Sequence, residues 1–141
     1  MSYTDRDLSW LSFNERILQE AENDAIPVME RLKFVAIYSS NLEEFYKVRV
    51  ARHHFDQKYK GDKKNKYGFR PSYILQQINR IVSGHQERLG NVFYSKIVHG
   101  LAQEGIHLLT DNLETEDETQ IGKYFDDHLA GKFELKEITD E

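Results

Sequence analysis

Apolar side chains recur along this chain mostly at intervals of three and four, the spacing that keeps one face of an α-helix buried. Phe13, Ile17, Leu18 and Ala21 form a first stripe of this kind. Ser12-Phe-Asn-Glu15 has the form of a capping box, in which the hydroxyl accepts from a free amide and the glutamate reaches back. It predicts a helix that begins near Ser12 and ends at Asn23-Asp24. Leu8, Trp10 and Leu11 are too apolar for a loose tail and are expected to pack on the same core. Pro27 suits the first turn of a second helix, with Val28, Met29, Leu32, Val35 and Ala36 as its buried face. Three short polar residues, Ser39-Ser40-Asn41, then interrupt the pattern. Ser40-Asn-Leu-Glu43 repeats the capping-box form, so the helix is expected to restart there, with its stripe resuming through Leu42, Phe45, Val48, Phe55 and Tyr59.

Residues 61–70 (GDKKNKYGFR) read as a loop, without periodicity. Pro71-Ser72 opens a long helix carrying Leu75, Ile78, Val82, Leu89, Phe93, Ile97 and Leu101. Gly84, Gly90 and Gly100 are poor helix formers there and are candidates for close helix approach; Gly105 is a natural stop. Ile106 to Leu109 reads as a short extended connection. Thr115-Glu-Asp-Glu118, a third capping box, starts a shorter helix near residues 116–130, through Ile121, Tyr124, Phe125 and Leu129 to Gly131. The predicted fold is all-α: a spectrin-repeat-like bundle of three main long helices plus this shorter C-terminal helix. Residues 1–131 read as one helical domain, and 132–141 as a polar tail, poorly ordered or the start of a truncated continuation.

Composition narrows the chemistry. The 141 residues, 39% hydrophobic with only two prolines and eight glycines, suit one helix-rich domain. Twenty-four acids against 19 Lys and Arg leave a net charge of −5, which argues against a general nucleic-acid binder. With no cysteine, disulfides, thiolate metal sites and cysteine nucleophiles are excluded. The longest apolar run, Phe34 to Tyr38, is far short of the roughly 20 residues of a transmembrane helix. The first residues lack the basic-then-apolar form of a secretory signal. A soluble, cytoplasmic protein is the default expectation.

Candidate sites are few. His53 and His54 are adjacent and so point about 100° apart on a helix, no His-Glu-x-x-His occurs, and His85 lies on the apolar stripe as a core histidine; a metal site is not expected. Glycine-rich phosphate loops are missing. Lys58, Lys60, Lys63, Lys64, Lys66 and Arg70, interleaved with Tyr59, Tyr67 and Phe69, would suit a polyanion, although a solvated loop explains them as well. Lys47, Arg49 and Arg52 share a helix with aromatic residues. A helix restarting at Ser39 to Asn41 would offer unpaired amides, and Asn41 an amide that both donates and accepts. Residue types alone favour capping there.

One resemblance changes that balance. The segments Asp7-Leu-Ser-Trp-Leu-Ser-Phe-Asn-Glu-Arg-Ile-Leu-Gln-Glu-Ala21, Glu30-Arg-Leu-Lys-Phe34 and Ile37-Tyr-Ser-Ser-Asn-Leu-Glu-Glu-Phe-Tyr-Lys-Val-Arg-Val50 together resemble the opening of bacterial polyphosphate kinase. The resemblance implies an enzyme that reversibly moves the terminal phosphate of ATP onto inorganic polyphosphate through a phosphohistidine, with magnesium. It implies a helical N-terminal domain covering the adenine side of ATP, with Asn41 as the ATP-binding residue. Glu43 stands where the family usually has Asp and takes no site role. The family's phosphohistidine, phosphate-binding arginines and magnesium ligands belong to later domains. This chain is therefore expected to hold no catalytic or metal-binding residue and to be inactive alone, with ATP/ADP, polyphosphate and the enzyme's other domains as partners and a homo-oligomer as the full-length state. The alternative is a non-enzymatic helical interaction module docking through Phe45, Lys47, Arg49 and Arg52.

Overall fold

The computed structural model of the chain describes residues 5–108 and 115–132, with the backbone alone at 115–117. The chain divides at His107/Leu108 into two compact units, inside the 1–131 domain read from the sequence. The described residues are helical, in a bundle with no strand.

In the first unit, α1 (Arg6–Glu22) forms one rod. A second rod is α2 (Val28–Phe45), a π-helical segment (Tyr46–Val50) and α3 (Ala51–Lys60) in unbroken succession. A third runs through α4 (Pro71–Asn91), a second π-helical segment (Val92–Val98) and α5 (His99–Gln103). Contacts between the rods fix their directions. Asp7 meets His53, Asn14 meets Tyr38 and Arg31 meets Ala21, so the second rod is antiparallel to the first. Glu15 and Glu22 meet Arg88, and Asp24 meets Lys96, so the third is parallel to the first. The result is the expected three-rod bundle.

The buried positions of α1 are Asp7, Leu11, Asn14, Leu18 and Ala21, spaced four, three, four, three. That is a coiled-coil seam, narrower than the stripe read from sequence, and it leaves Phe13 55% exposed. Asp5, not Ser12, caps the helix: its side chain accepts from the Asp7 amide at 2.8 Å, so α1 starts about two turns earlier than expected. Ser12 is an exposed residue of the helix interior. At the other end the Asn23 side chain accepts from the Ala25 amide at 3.0 Å, stopping the helix where the sequence predicts.

Two expectations for the second rod are corrected. The helix does not restart at Ser39 to Asn41; α2 passes through all three, held by buried Tyr38 and Leu42 on either side. The exposed Ser39 and Ser40 side chains leave the backbone ladder intact. The irregularity comes one turn later, in the π-helical segment, whose extra residue per turn moves the buried positions from Phe45 to Val50. A constant helical period therefore misplaces the residues beyond Phe45, and Val48, Phe55 and Tyr59 lie exposed. Met29 and Ala36 also face outward; Arg31 takes the buried place beside the half-buried Val28, Leu32 and Val35. The third rod repeats the device, its buried positions stepping from Val92 to Ile97.

The core forms two clusters. Leu11, Leu18, Tyr38, Leu42, Phe45, Val50, Ile74, Leu75, Ile78 and Val82 fill the larger one, toward the 61–70 loop. Ala21, Val92, Ile97 and Leu101 fill the smaller one, near the 23–27 turn. Of the three glycines in the third rod, only Gly100 marks a close approach, since a Cβ there would lie 3.0 Å from Val28 Cγ2; Gly84 and Gly90 have open space. Gly61 and Gly105, at φ 72° and 76°, end α3 and α5 in a conformation that favours glycine.

The second unit contains α6 (Thr115–His128) and a 3-10 turn, Ala130–Lys132, with Ile121, Tyr124 and Phe125 exposed. Leu109, the capping chemistry of Thr115 and the tail beyond Lys132 lie outside the described residues and side chains. No helix among the described residues is long and apolar enough to cross a membrane.

Candidate functional site

Asn41 sits half-buried on α2 and lines a cleft of about 260 Å³. Trp10 and Phe45 form one wall, stacked at 4.5 Å between ring centroids and 8° between planes. Phe13, Glu44, Val48 and Arg49 complete it. The exposure of Phe13, surprising for a residue in an apolar stripe, puts an aromatic ring beside the Asn41 amide. Glu43 lies outside the cleft, exposed and paired with Lys47 one turn on, whose hydrogen bond holds the Glu43 carboxyl below its ordinary pKa.

What fixes Asn41 is a residue with no part in the sequence reading. Asn14, wholly buried on the α1 seam, donates its Nδ2 to the Tyr38 carbonyl at 3.3 Å. Its Oδ1 accepts from Asn41 Nδ2 at 3.1 Å. Asn41 is left with one N–H and its Oδ1 without a partner among the described residues. It can donate and accept at once from a fixed position. The continuous helix removes the other half of the sequence argument, because amides at 39–41 are committed to the helical ladder rather than unpaired. The signal for Asn14 was present as the one amide residue at a seam position.

Val48 and Arg49 also line a second, larger cleft of about 910 Å³. Here α1, the middle of the second rod and the 61–70 loop converge. Asp7 and His53, 46 residues apart, are joined at 2.8 Å, with Asp7 inside the bundle. That hydrogen bond, with the cations of Arg49 and Arg6 nearby, holds the Asp7 carboxyl below its ordinary pKa despite burial. Arg52 stands 3.2 Å from Asp56, which Lys60 also approaches at 2.9 Å. From the loop, Asn65, Lys66 and Tyr67 close the opposite side. The loop is itself ordered by side-chain caps: Asn65 Oδ1 accepts from the amides of Tyr67 and Phe69, and Asp62 accepts from the amide and hydroxyl of Ser72.

The structure thus brings Arg49, Arg52 and Lys66 to one cleft, while Lys47 stays on the outer surface with Glu43. His85 is a core histidine, edge-on to Tyr38 at 6.1 Å, and burial lowers its pKa. Among the described residues no group of three His, Asp or Glu is placed to hold a metal ion.

Fold and clefts together define an all-α three-rod bundle with a polar amide and a set of cations presented on its surface. A family model for the polyphosphate kinase N-terminal domain matches residues 3–109. A polyphosphate kinase of Halalkalibacterium halodurans is 43% identical over 132 residues, and one of Bacillus anthracis 41% over 133. Each match covers 90% of this chain and 18% of the relative. The crystal structure of polyphosphate kinase from Porphyromonas gingivalis is similar with a TM-score of 0.76 and 35% identity, over 94% of this chain and 18% of that one. The chain belongs to the polyphosphate kinase N-terminal domain family, and it spans 18% of the length of these curated relatives.

Proposed function

We propose that this chain is the nucleotide-facing N-terminal domain of an enzyme that reversibly transfers the terminal phosphate of ATP to inorganic polyphosphate. Its share is to hold the adenosine end, with Asn41 as the contact. The observation that carries this is the Asn41 amide, pinned by Asn14 with one donor and one acceptor still open, in a cleft bordered by Phe13 and the Trp10–Phe45 pair. An in-plane donor–acceptor pair matches the N6 and N7 edge of adenine, and an aromatic neighbour supplies a stacking surface. Fixing the base in this way aids an in-line transfer by positioning.

The phosphorylated histidine, the phosphate clamps and the magnesium ligands are assigned to the remainder of the enzyme. Of the carboxylates lining the larger cleft, Asp5 caps α1 and Asp7 and Asp56 are already paired within the chain, and they form no cluster suited to magnesium. The chain alone is accordingly inactive, works in the cytoplasm as part of the larger enzyme, and meets ATP/ADP and polyphosphate there, in a homo-oligomer. In the full-length enzyme, Asn41→Ala raises the KM for ATP with the fold intact by circular dichroism. Unchanged kinetics at unchanged stability would remove Asn41 from the site.

A further inference from the structure

The larger cleft has a chemistry that an adenosine contact does not use. Four cationic side chains line it, Arg6, Arg49, Arg52 and Lys66, against the three carboxylates of Asp5, Asp7 and Asp56, in a chain whose net charge is −5. The carboxylates are occupied. Asp5 caps α1, Asp7 accepts from His53 at 2.8 Å, and Asp56 is shared with Lys60. Arg6 and Arg49 are held only loosely, whereas Arg52 keeps one contact, to Asp56 at 3.2 Å. Arg6 and Arg49 stand 3.6 and 3.7 Å from Asp7, beyond hydrogen-bonding distance. Arg6 and Arg52 come closest to their carboxylates through Nε, and their Nη groups make no hydrogen bond among the described residues. A planar guanidinium with open N–H groups matches the oxygens of a phosphate in bidentate fashion.

We infer that the cleft lined by Arg6, Arg49, Arg52 and Lys66 binds a chain of condensed phosphates, inorganic polyphosphate in particular. The choice of ligand rests on the proposed function; the site rests on the cleft. Its cations come from the start of α1, the middle of the second rod and the 61–70 loop, so they line an elongated ligand from more than one side. Nucleic acid fits less well. Apart from the His53 imidazole, tied to Asp7, Tyr67 is the one aromatic side chain lining the cleft among the described residues, and the Lys66 ammonium lies over its ring at 4.9 Å, where a base would have to stack. Arg49 belongs to both clefts, so a phosphate chain here would start beside the adenosine contact.

The test is titration of the 141-residue chain with long-chain inorganic polyphosphate, ATP, adenosine and a single-stranded RNA at several salt concentrations. The exposed pair Arg52→Gln/Lys66→Gln is expected to weaken polyphosphate binding roughly tenfold or more. It should also lower the salt slope by about two, one for each cation removed. Circular dichroism checks the fold. Adenosine, which has no phosphate, reads the other cleft: Asn41→Ala loses adenosine and keeps polyphosphate, and the double variant does the reverse. The inference falls if the double variant binds polyphosphate like the parent, or if RNA binds as tightly as polyphosphate. It also falls if ATP alone, and not polyphosphate, depends on Arg52 and Lys66, since the cleft would then hold a nucleotide's own phosphates. Loss of adenosine binding alone leaves it standing, and so separates its failure from that of the Asn41 reading.

Discussion

The two ends of the three-rod bundle use the same residue types for opposite purposes. Near the 23–27 turn, the cations Arg31, Arg88 and Lys96 are tied into the protein. Arg31, buried, donates its Nε to the Ala21 carbonyl at 2.8 Å, one of the last carbonyls of α1, and meets Asp24 at 3.0 Å. Arg88 is clamped by Glu15 and Glu22, which hold it in its charged form, and Lys96 reaches both the Glu22 carbonyl and Asp24. Near the 61–70 loop, Arg6 and Arg49 stand off their carboxylate and their donors remain open. Arginine count distinguishes nothing here. What differs is how closely each cation is held: direct hydrogen bonds near the turn, even though Arg31 Nη2 is buried without one, and longer ion pairs near the loop.

That contrast yields its largest effect at Arg31. Arg31→Ala removes a charged donor from a buried carbonyl and should cost about 2–3 kcal/mol, read as a lower urea midpoint, while adenosine and polyphosphate affinities stay at parent values. A loss of ligand binding at unchanged stability would erase the distinction between the ends.

Asn14→Ala sharpens the boundary, because Asn14 lies in the core yet holds the cleft residue Asn41. It leaves the Tyr38 carbonyl and the Asn41 amide each short of a partner. A stability loss of about 1–2 kcal/mol is expected, together with weaker adenosine binding, since Asn41 is no longer fixed. Full adenosine affinity would show that Asn41 needs no such support.

The smallest effect is one of pH. Burial of His85 lowers its pKa, with Glu15 at 3.8 Å opposing and Arg88 reinforcing the shift. The folded protein therefore resists a proton that the unfolded chain accepts. Stability is full above the ordinary imidazole value of about 6.5 and declines as pH falls below it toward the lowered folded value. Asp7 acts in a separate window, below the ordinary value of 3.8, as its partnered carboxylate is titrated. The melting temperature should be lower at about pH 5 than at about pH 7.5, and His85→Phe should narrow that difference. An unchanged difference in the variant would assign it to another group.

Much of this was legible in the chain. Few helix breakers, the 61–70 loop and Gly105 gave the rods their limits, and the residues around Asn41 carried the family likeness. What escaped had physical reasons. Ser12 looked like a cap because its spacing to Glu15 is right, but Asp5 lies nearer the true start and Leu11 and Leu18 keep the intervening turn helical. Phe13 fits an apolar stripe until the narrower seam through Asn14 is seen. The Asp7–His53 pair spans 46 residues, and no local pattern predicts a contact at such range.

The π-helical turn at Tyr46–Val50 works as a phase shifter. Each residue added to a helix rotates everything downstream by about 100°. Regularising that turn by deleting one residue would leave Asn41 and the Trp10–Phe45 stack in place yet swing His53 and Arg52 round the axis, away from Asp7 and Lys66. Asn41 and the cationic cleft are thus set at their mutual angle by one surplus residue, and an insertion or deletion there would uncouple them without altering either set of side chains.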